Sequence, residues 1–246
     1  MTPSAQHLSS LETLSDGFLM DVRTMDIGSA TASAVIARFD ESRFADGLFT
    51  TLDVDRPDRL DRAIEKRKAE YLAGRAVAMA ALASTGHAPT QIATGSNREP
   101  IWPAGMAGSI THSKGRCAAI VTDQPGTLVG VDIEDIAEGS SLDAIFKVAL
   151  QPEETRLIRE SDAQALMATI VFSAKETLYK ALFPAVQQFF GFNHAELHRV
   201  PGETVLRLRL TKPLKNTVTA GTVFDIGYRQ LDRSVITWLV TPVPAG

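Results

Sequence analysis

The sequence predicts an α+β protein built from two halves, because one order of elements occurs twice. A strand, a long helix and further strands are predicted before about residue 125, and a long helix among strands recurs after it. The 246 residues suffice for one large domain or for two of about 120 residues, and either can bury a core. The sequences of the halves are not alike, so the expected division into residues 1–124 and 125–246 rests on the order of elements.

In the N-terminal half, Arg59–Ala83 carries the helix signal. It is rich in Ala, Leu, Met, Arg, Lys and Glu, which are good helix formers, and Gly86 is a suitable stop. The turn-rich loop Gly95–Pro103 follows. The remaining predicted elements are a short helix over Ser9–Phe18 and strands over Thr31–Phe39, Ala107–His112 and Cys117–Thr122.

In the C-terminal half, the long helix is predicted over Ala163–Phe183 and should stop before Pro184. Pro152 opens a shorter helix, because proline is tolerated at a helix start. The other predicted elements are a helix over Ser140–Val148 and strands over Leu128–Ile133, Ala195–Arg199, Val205–Leu210, Thr222–Arg229 and Val235–Thr241.

Composition excludes several classes of protein. A net charge of −4 argues against an electrostatic nucleic-acid binder. A single cysteine, Cys117, rules out an intramolecular disulfide or a cysteine-built zinc site and fits a reducing compartment. The N-terminus lacks the basic and apolar regions of a secretory signal, and no run approaches the roughly 18 apolar residues of a membrane span. We expect a cytoplasmic protein without a membrane span.

The segment FSAKETLYKA, residues 172–181, is predicted to form a helix with two faces. At about 100° per residue, Val171, Ala174 and Leu178 share one side, whereas Ser173, Glu176 and Lys180 lie on the other. Glu176 and Lys180 are four residues apart, and taken alone they indicate a surface ion pair worth a few tenths of a kcal/mol. A functional role for this pair depends on the segments upstream.

Asp132 and Glu134 lie in the strand segment GVDIE, residues 130–134. Side chains alternate along a strand, so both carboxylates point the same way while Val131 and Ile133 point into the core. Two adjacent carboxylates repel unless a positive group lies between them, and such oxygen ligands suit Mg²⁺ or Mn²⁺. The Asp-x-Glu pattern is common, so a structural role stays open.

Two further segments carry groups suited to phosphate. Ser109–Lys114 ends a short strand with hydrogen-bond donors, although a surface loop is the simpler interpretation. Arg67 and Arg75 lie about 80° apart on their predicted helix, and arginine forks match phosphate geometry. A solvated basic face is the alternative. Gly74 costs roughly 1 kcal/mol against alanine inside a helix, which indicates close approach by a ligand or another backbone.

Together, the segments RKAEYLAGR, REPIWP, GSITHS, GVDIE and FSAKETLYKA resemble the 4′-phosphopantetheinyl transferases between about Arg67 and Ala181. The type is the two-domain, single-chain group of the surfactin-synthetase activator and the enterobactin synthetase component D. The resemblance implies two pseudo-symmetric α/β halves, each a small, mostly antiparallel sheet on a long helix, with the active site at their interface. The N-terminal half then supplies coenzyme A phosphate contacts and the C-terminal half the magnesium carboxylates.

The resemblance implies transfer of the phosphopantetheine arm of coenzyme A to a serine of an apo acyl or peptidyl carrier protein, with release of adenosine 3′,5′-bisphosphate. Siderophore, nonribosomal peptide or polyketide synthesis is the implied setting, with enterobactin-type siderophores favoured. Asp132, Glu134 and Glu176 would bind Mg²⁺, and Mn²⁺ is the alternative. Lys180 would neutralise the pyrophosphate or assist the leaving group. Glu176 would take the serine proton, directly or through a metal-bound water.

The same resemblance implies coenzyme A contacts by residues of both halves. They are Arg67, Arg75, Arg98, Thr111, His112, Lys175 and Lys180, with Asn97 as an alternative to Arg98. Lys175 lies near the apolar side of its helix, so its head should snorkel to the surface. Residues Ser140–Ala149 are expected to help dock the acidic carrier, and the fusion of two halves predicts a monomer.

A non-catalytic binding protein and another type of phosphoryl enzyme are the two alternative classes of function. A non-catalytic protein that binds coenzyme A or a carrier would keep the fold, but all three carboxylates and Lys180 are present. Another Mg²⁺-dependent phosphoryl enzyme would need a nucleotide-binding loop such as G-x-x-x-x-G-K-[ST], and the sequence has none.

Overall fold

The chain divides into two compact units, Met1–Pro125 and Gly126–Gly246. The computed structural model describes residues 3–87, 90–199, 202–215 and 218–244. Each unit has its own antiparallel sheet and its own long helix. The predicted α+β class, with mostly antiparallel sheets packed on long helices, is therefore confirmed.

The N-terminal unit is a four-stranded sheet with the strand order β1-β2-β6-β5 and a small two-stranded β3-β4 sheet. Its helices are α1 (Pro3–Leu14), α2 (Leu48–Thr51) and α3 (Glu65–Ser84), with short 3-10 turns at Glu41–Arg43 and Asp58–Leu60. Its strands are β1 (Leu19–Thr24), β2 (Ala32–Phe39), β3 (Ala93–Thr94), β4 (Pro100–Ile101), β5 (Ala107–Ser113) and β6 (Arg116–Thr122).

Helix α3 packs its small side chains against strands β6, β2 and β5. Ala69, Ala73 and Ala76 are almost fully buried and share a core with Val35 and Cys117. A Cβ placed on Gly74 would lie 3.1 Å from Ile110 Cγ2, which is closer than ordinary packing. The glycine thus lets a β5 side chain approach the helix. This close approach explains why a residue that is unfavourable inside a helix occupies position 74.

The C-terminal unit is a five-stranded sheet with the strand order β7-β11-β10-β9-β8. Its helices are α4 (Gly139–Val148), α5 (Pro152–Arg159) and α6 (Gln164–Val186), followed by a 3-10 turn at Phe192–His194. Its strands are β7 (Thr127–Asp135), β8 (Ala195–Arg199), β9 (Val205–Leu210), β10 (Val223–Leu231) and β11 (Ser234–Pro242).

Helix α6 lies on one face of this sheet, against β7 and β11. Ala174, Leu178 and Ala181 share a core with Leu128 and Leu239. Helix α6 and strand β7 are unusually close at Gly130, where an added Cβ would overlap the Thr177 carbonyl oxygen. This approach brings the polar residues of α6 beside the carboxylates of β7.

Most predicted elements are confirmed within a few residues, and three of them differ. The helix predicted over Ser9–Phe18 lies at Pro3–Leu14. Helix α3 begins at Glu65 rather than Arg59, because residues 58–60 form a separate 3-10 turn. Helix α6 continues past Pro184 to Val186. A proline in the last turn removes only one helical hydrogen bond, and buried Phe183 and Val186 hold that turn in place. Strand β1 has no counterpart among the predicted elements.

Among the residues that the structure describes, no helix is long and apolar enough to cross a membrane.

Candidate active site

Asp132 lies in the middle of β7, opposite Thr237 of β11 in the antiparallel register. Directly opposed residues project to the same face of a sheet, which here is the face covered by α6. Asp132 is 3% exposed and Thr237 is fully buried. An acidic side chain is therefore held in the contact between helix and sheet, where burial is costly without partners.

Two residues of α6 supply those partners. Lys180 Nζ donates to Asp132 Oδ1 at 2.7 Å and to the Val131 carbonyl oxygen at 3.2 Å. Ser173 Oγ donates to Asp132 Oδ2 at 2.8 Å. The separation of seven residues, about two helical turns, places Ser173 and Lys180 on one side of α6. Both oxygens of Asp132 are thus hydrogen-bonded from the same helix.

Glu134 and Glu176 lie close enough to Asp132 to respond to its charge. Burial, reinforced by Asp132, raises the pKa of Glu134 to about 7, and Lys180 opposes the rise. Burial also raises the pKa of Glu176, with Lys180 opposing and Asp132 adding to the shift. Three carboxylates and one ammonium group therefore influence one another's charge in this part of the C-terminal unit.

The cluster is not arranged as a ready metal site. Across residues 3–87, 90–199, 202–215 and 218–244, no three His, Cys, Asp or Glu side chains are placed to hold a metal ion together. The Lys180 ammonium group contacts Asp132. Lys180 thus pairs with a strand carboxylate, and its charge also acts on Glu176 one helical turn before it.

Lys175 differs from its expected position, because its head does not reach the surface. Its side chain is 1% exposed, and Nζ donates to Glu154 Oε2 at 2.6 Å and to the Ala149 carbonyl oxygen at 2.9 Å. Glu154 also accepts from the backbone N–H groups of Leu197 and Gln151, each at 2.6 Å. Burial lowers the pKa of Lys175, and the Glu154 charge opposes this.

The expectation that the Lys175 head snorkels is therefore wrong. Helix α5 packs against α6 on that side and supplies a buried carboxylate, so the ammonium group has a partner inside the unit. In this conformation Lys175 joins α5, α6 and β8 through Glu154.

In the N-terminal unit, the structure brings together Arg67, Glu70 and His112. Arg67 Nη1 lies 3.1 Å from His112 Nε2 and 3.4 Å from Glu70 Oε2. Arginine can only donate, so Nε2 accepts and the neutral ring carries its hydrogen on Nδ1. That nitrogen faces Glu70 Oε2 at 3.8 Å. These groups form a partly exposed cluster in which the Arg67 guanidinium group is suited to an anion.

Arg75 has different surroundings from Arg67. It is 6% exposed, its guanidinium carbon lies 4.9 Å from the Tyr71 ring centroid, and Nη2 donates to Thr94 Oγ1 at 2.9 Å and to the Ala93 carbonyl oxygen at 3.2 Å. Burial is the largest cause lowering its pKa. Arg75 therefore fastens strand β3 to helix α3.

Thr111 and His112 are neighbours on β5, so their side chains point to opposite faces of the sheet. Thr111 is buried, whereas His112 faces Arg67 of α3. Strand β5 ends the strand order, so a ligand alongside that edge can meet side chains from both faces. Arg98 is exposed at the turn between β3 and β4, with a φ of 69°.

Models of known protein families match segments of both units. Residues 56–122 match the model of the 4′-phosphopantetheinyl transferase N-terminal domain. Residues 128–225, which carry Asp132, Glu134, Glu176 and Lys180, match the model of the 4′-phosphopantetheinyl transferase superfamily. The chain belongs to the 4′-phosphopantetheinyl transferases.

Similar curated proteins support the assignment. The transferase is 34% identical over 212 residues to enterobactin synthase component D of Salmonella typhimurium, an alignment that covers 85% of this chain and 87% of that protein. It is 34% identical over 183 residues to 4′-phosphopantetheinyl transferase PptT of Mycobacterium tuberculosis, covering 70% and 78%. It is 39% identical over 124 residues to enterobactin synthase component D of Escherichia coli K12, covering 50% and 58%.

As a member of this superfamily, the transferase uses coenzyme A to place phosphopantetheine on carrier proteins.

The sequence patterns assign no role to four residues that the structure places against predicted site residues. For one of them, Ser173, the helical period does carry a signal, because it predicts that Ser173 shares a side of α6 with Glu176 and Lys180. Glu70 lies inside the segment RKAEYLAGR. Thr237 and Glu154 gave no signal, because each meets its partner through a pairing of distant segments.

Proposed function

We propose that the transferase is Mg²⁺-dependent, attaches phosphopantetheine to a serine of an apo acyl or peptidyl carrier protein and releases adenosine 3′,5′-bisphosphate. The observation that carries the proposal is the cluster of Asp132, Glu134 and Glu176 around Lys180 in the C-terminal unit. Asp132, Glu134 and Glu176 are the proposed metal ligands, and Mn²⁺ suits the same oxygen donors.

The donor chemistry fits a divalent cation. Carboxylate oxygens are the ligands that Mg²⁺ prefers, and the raised pKa values of Glu134 and Glu176 record repulsion and burial that a cation relieves. Since Lys180 contacts Asp132 Oδ1, binding of the metal requires a shift of that ammonium group or of the carboxylates. When bound, Mg²⁺ offsets the charge that builds on the pyrophosphate oxygens.

Two residues of α6 have the proposed catalytic roles. Lys180 lies one helical turn after Glu176 and offers an ammonium group to the pyrophosphate, either in the ground state or as the leaving group departs. Burial raises the pKa of Glu176 from its ordinary value, which makes it a better acceptor for the serine proton than an exposed glutamate. The proton passes to Glu176 directly or through a water molecule, and both routes keep Glu176 as the final base.

The N-terminal unit is proposed to supply the contacts to coenzyme A phosphates. Arg67 and His112 carry this assignment, because Arg67 is partly exposed beside His112 and its guanidinium fork matches phosphate geometry. Thr111, Arg98 and Arg75 are further proposed contacts, and Lys175 and Lys180 are the proposed contacts from the C-terminal unit. For Arg75 and Lys175, contact with coenzyme A would require them to leave the partners described above.

The proposed carrier belongs to siderophore, nonribosomal peptide or polyketide synthesis. Two relatives named enterobactin synthase component D favour a siderophore pathway. Helix α4 and Ala149 are proposed to help dock the carrier. Val148 is 64% exposed on this helix, and Lys147 lies beside it, which suits a partner with apolar and acidic groups. We further propose a monomer that works in the cytoplasm.

The test is a mass measurement on a panel of apo carrier proteins. The transferase is incubated with coenzyme A, with and without Mg²⁺, and each carrier is weighed. At least one carrier should gain the phosphopantetheine arm only when the cation is present, with adenosine 3′,5′-bisphosphate in the supernatant. Equal transfer in excess chelator would overturn the metal requirement, and full transfer by Asp132→Ala would overturn the assignment of that ligand.

A further inference from the structure

Three buried hydroxyl groups form a continuous chain that ends on Asp132. Thr177 Oγ1 lies 2.6 Å from Thr237 Oγ1, and Thr237 Oγ1 lies 2.9 Å from Ser173 Oγ. Ser173 Oγ lies 2.8 Å from Asp132 Oδ2. All three hydroxyl residues are fully buried. The chain therefore lies within the contact between α6 and the sheet, shielded from solvent.

The direction of every hydrogen bond in the chain follows from counting hydrogens. An ionised carboxylate only accepts, so the single hydroxyl hydrogen of Ser173 is given to Asp132. Ser173 Oγ must then accept from Thr237, which uses the only hydroxyl hydrogen of Thr237. Thr177 in turn donates its one hydroxyl hydrogen to Thr237, mainly to Oγ1 at 2.6 Å and, in a bifurcated bond, to the carbonyl oxygen at 3.2 Å.

The three O–H dipoles consequently all point towards Asp132 Oδ2. Hydrogen bonds aligned in this way polarise one another, and they are strongest when the last acceptor is charged. Such a chain fixes the rotation of the Asp132 carboxylate about the Cβ–Cγ bond. Because Oδ2 is held by the chain, Oδ1 is turned to the side where Lys180 lies.

The fold itself sets the positions of the chain members. Asp132 and Thr237 are directly opposed in the ladder between β7 and β11, while Ser173 and Thr177 are one helical turn apart on α6. Gly130 allows the helix to approach closely enough for the hydroxyl groups to meet. The polar chain interrupts an otherwise apolar contact, which costs burial energy that a purely structural interface avoids.

We infer that Ser173, Thr237 and Thr177 are positioning residues for the transferase reaction, which orient the Asp132 carboxylate towards the divalent cation. This inference rests on the proposed function, because it takes Asp132 to be a ligand of that cation. Outer partners of metal ligands typically contribute 10- to 100-fold to metal affinity. The effect of removing each hydroxyl group should diminish with its distance from Asp132 along the chain.

Mn²⁺ binding is the readout, measured from the free-ion electron paramagnetic resonance signal with coenzyme A present and no carrier, so that no turnover occurs. Ser173→Ala should weaken Mn²⁺ binding by about 10- to 100-fold. Thr237→Val, which keeps the side-chain shape, should weaken it less, and Thr177→Val least. Thr237→Ser keeps the hydroxyl group and should bind Mn²⁺ nearly as well as the unmodified protein.

Thr169→Val is the matched control. Thr169 is also fully buried on α6, and its hydroxyl group bonds to Ala165 O and Ala137 N rather than to the chain. It should lose stability, as the chain variants do, but keep Mn²⁺ affinity. Circular dichroism establishes that each protein is folded. If Thr237→Val does not fold, the difference in Mn²⁺ affinity between Ser173→Ala and Thr169→Val tests the positioning role.

The outcomes separate the two proposals. If Asp132→Ala loses Mn²⁺ binding while Ser173→Ala and Thr237→Val bind as Thr169→Val does, the positioning role is overturned and the metal assignment stands. If folded Asp132→Ala binds Mn²⁺ as the unmodified protein does, the metal assignment itself fails. A loss of Mn²⁺ affinity that decreases from Ser173 through Thr237 to Thr177, with recovery in Thr237→Ser, supports both the positioning role and the metal assignment.

Discussion

Lys180 Nζ lies 2.7 Å from Asp132 Oδ1, so a cation from α6 already contacts the first of the proposed metal ligands. The ammonium group compensates part of the repulsion among Asp132, Glu134 and Glu176. It also competes with any other cation for the same oxygen. Lys180 should therefore oppose the binding of a metal ion to Asp132, whereas its proposed contact with the pyrophosphate favours transfer.

Replacement of Lys180 by methionine should therefore separate binding from catalysis. Loss of the ammonium group removes the competitor, so Mn²⁺ should bind more tightly. Transfer should fall by about tenfold or more, because the pyrophosphate loses a charged donor. The measurements are Mn²⁺ titration and the rate of carrier modification. Weaker Mn²⁺ binding would show that Lys180 does not compete for the site.

Gly130 should tolerate no side chain. In Gly130→Ala the new Cβ would meet the Thr177 carbonyl oxygen, so α6 must move away from β7. Overpacking of this kind costs about 1–3 kcal/mol in the free energy of unfolding, and the shift should also reduce transfer. Denaturant unfolding and the carrier assay test both. Gly47→Ala is the control, because Gly47 has helical dihedral angles and nothing within 4 Å of an added Cβ.

The buried pair of Glu154 and Lys175 should respond differently to single and double replacement. Lys175→Met leaves the Glu154 carboxylate buried without its cation, which costs about 3–5 kcal/mol of unfolding free energy. Glu154→Gln together with Lys175→Met removes both charges and should recover part of that loss. A double-mutant cycle in urea measures the coupling. Additive losses would mean that the two charges do not stabilise each other.

Stability of the metal-free protein should depend on Glu134 in a defined pH window. Burial raises the folded pKa of Glu134 to about 7, above its ordinary 4.5, so the folded state binds the proton more tightly. The stabilisation is complete below about pH 4.5 and is lost as the pH rises through 7. The difference in unfolding free energy between the unmodified protein and Glu134→Gln should change across this window. A pH-independent difference would contradict the raised pKa.

Arg67 and Arg75 should differ in what their removal changes. Arg67 is partly exposed beside His112, so Arg67→Ala should raise the KM for coenzyme A by about tenfold, with stability changed by less than about 0.5 kcal/mol. Arg75 is buried against Tyr71 and Thr94, so Arg75→Ala should cost about 2 kcal/mol of stability. Steady-state kinetics and urea unfolding distinguish them. The reverse pattern would mean that the two arginines have exchanged roles.

Local patterns in the sequence predict the helices and strands well, because amphipathic period and turn residues act over a few neighbours. They also place Asp132 with Glu134 and Glu176 with Lys180. The wheel of α6 fails at Lys175, whose head was expected at the surface, since a long helix contacted by a sheet and by α5 is buried on more than one side. Partners such as Glu154 and Thr237 depend on tertiary pairing, which no local pattern encodes.

The pairing of β7 with β11 joins the first and last strands of the C-terminal unit. Residue 132 thus meets residue 237 only by closing a loop of more than a hundred residues, a contact of high sequence separation that forms slowly. During synthesis, α6 leaves the ribosome well before β11 does. The carboxylate of Asp132 therefore gains its complete set of partners only when the final strand is available, so a chain that stops short of residue 237 cannot complete the site.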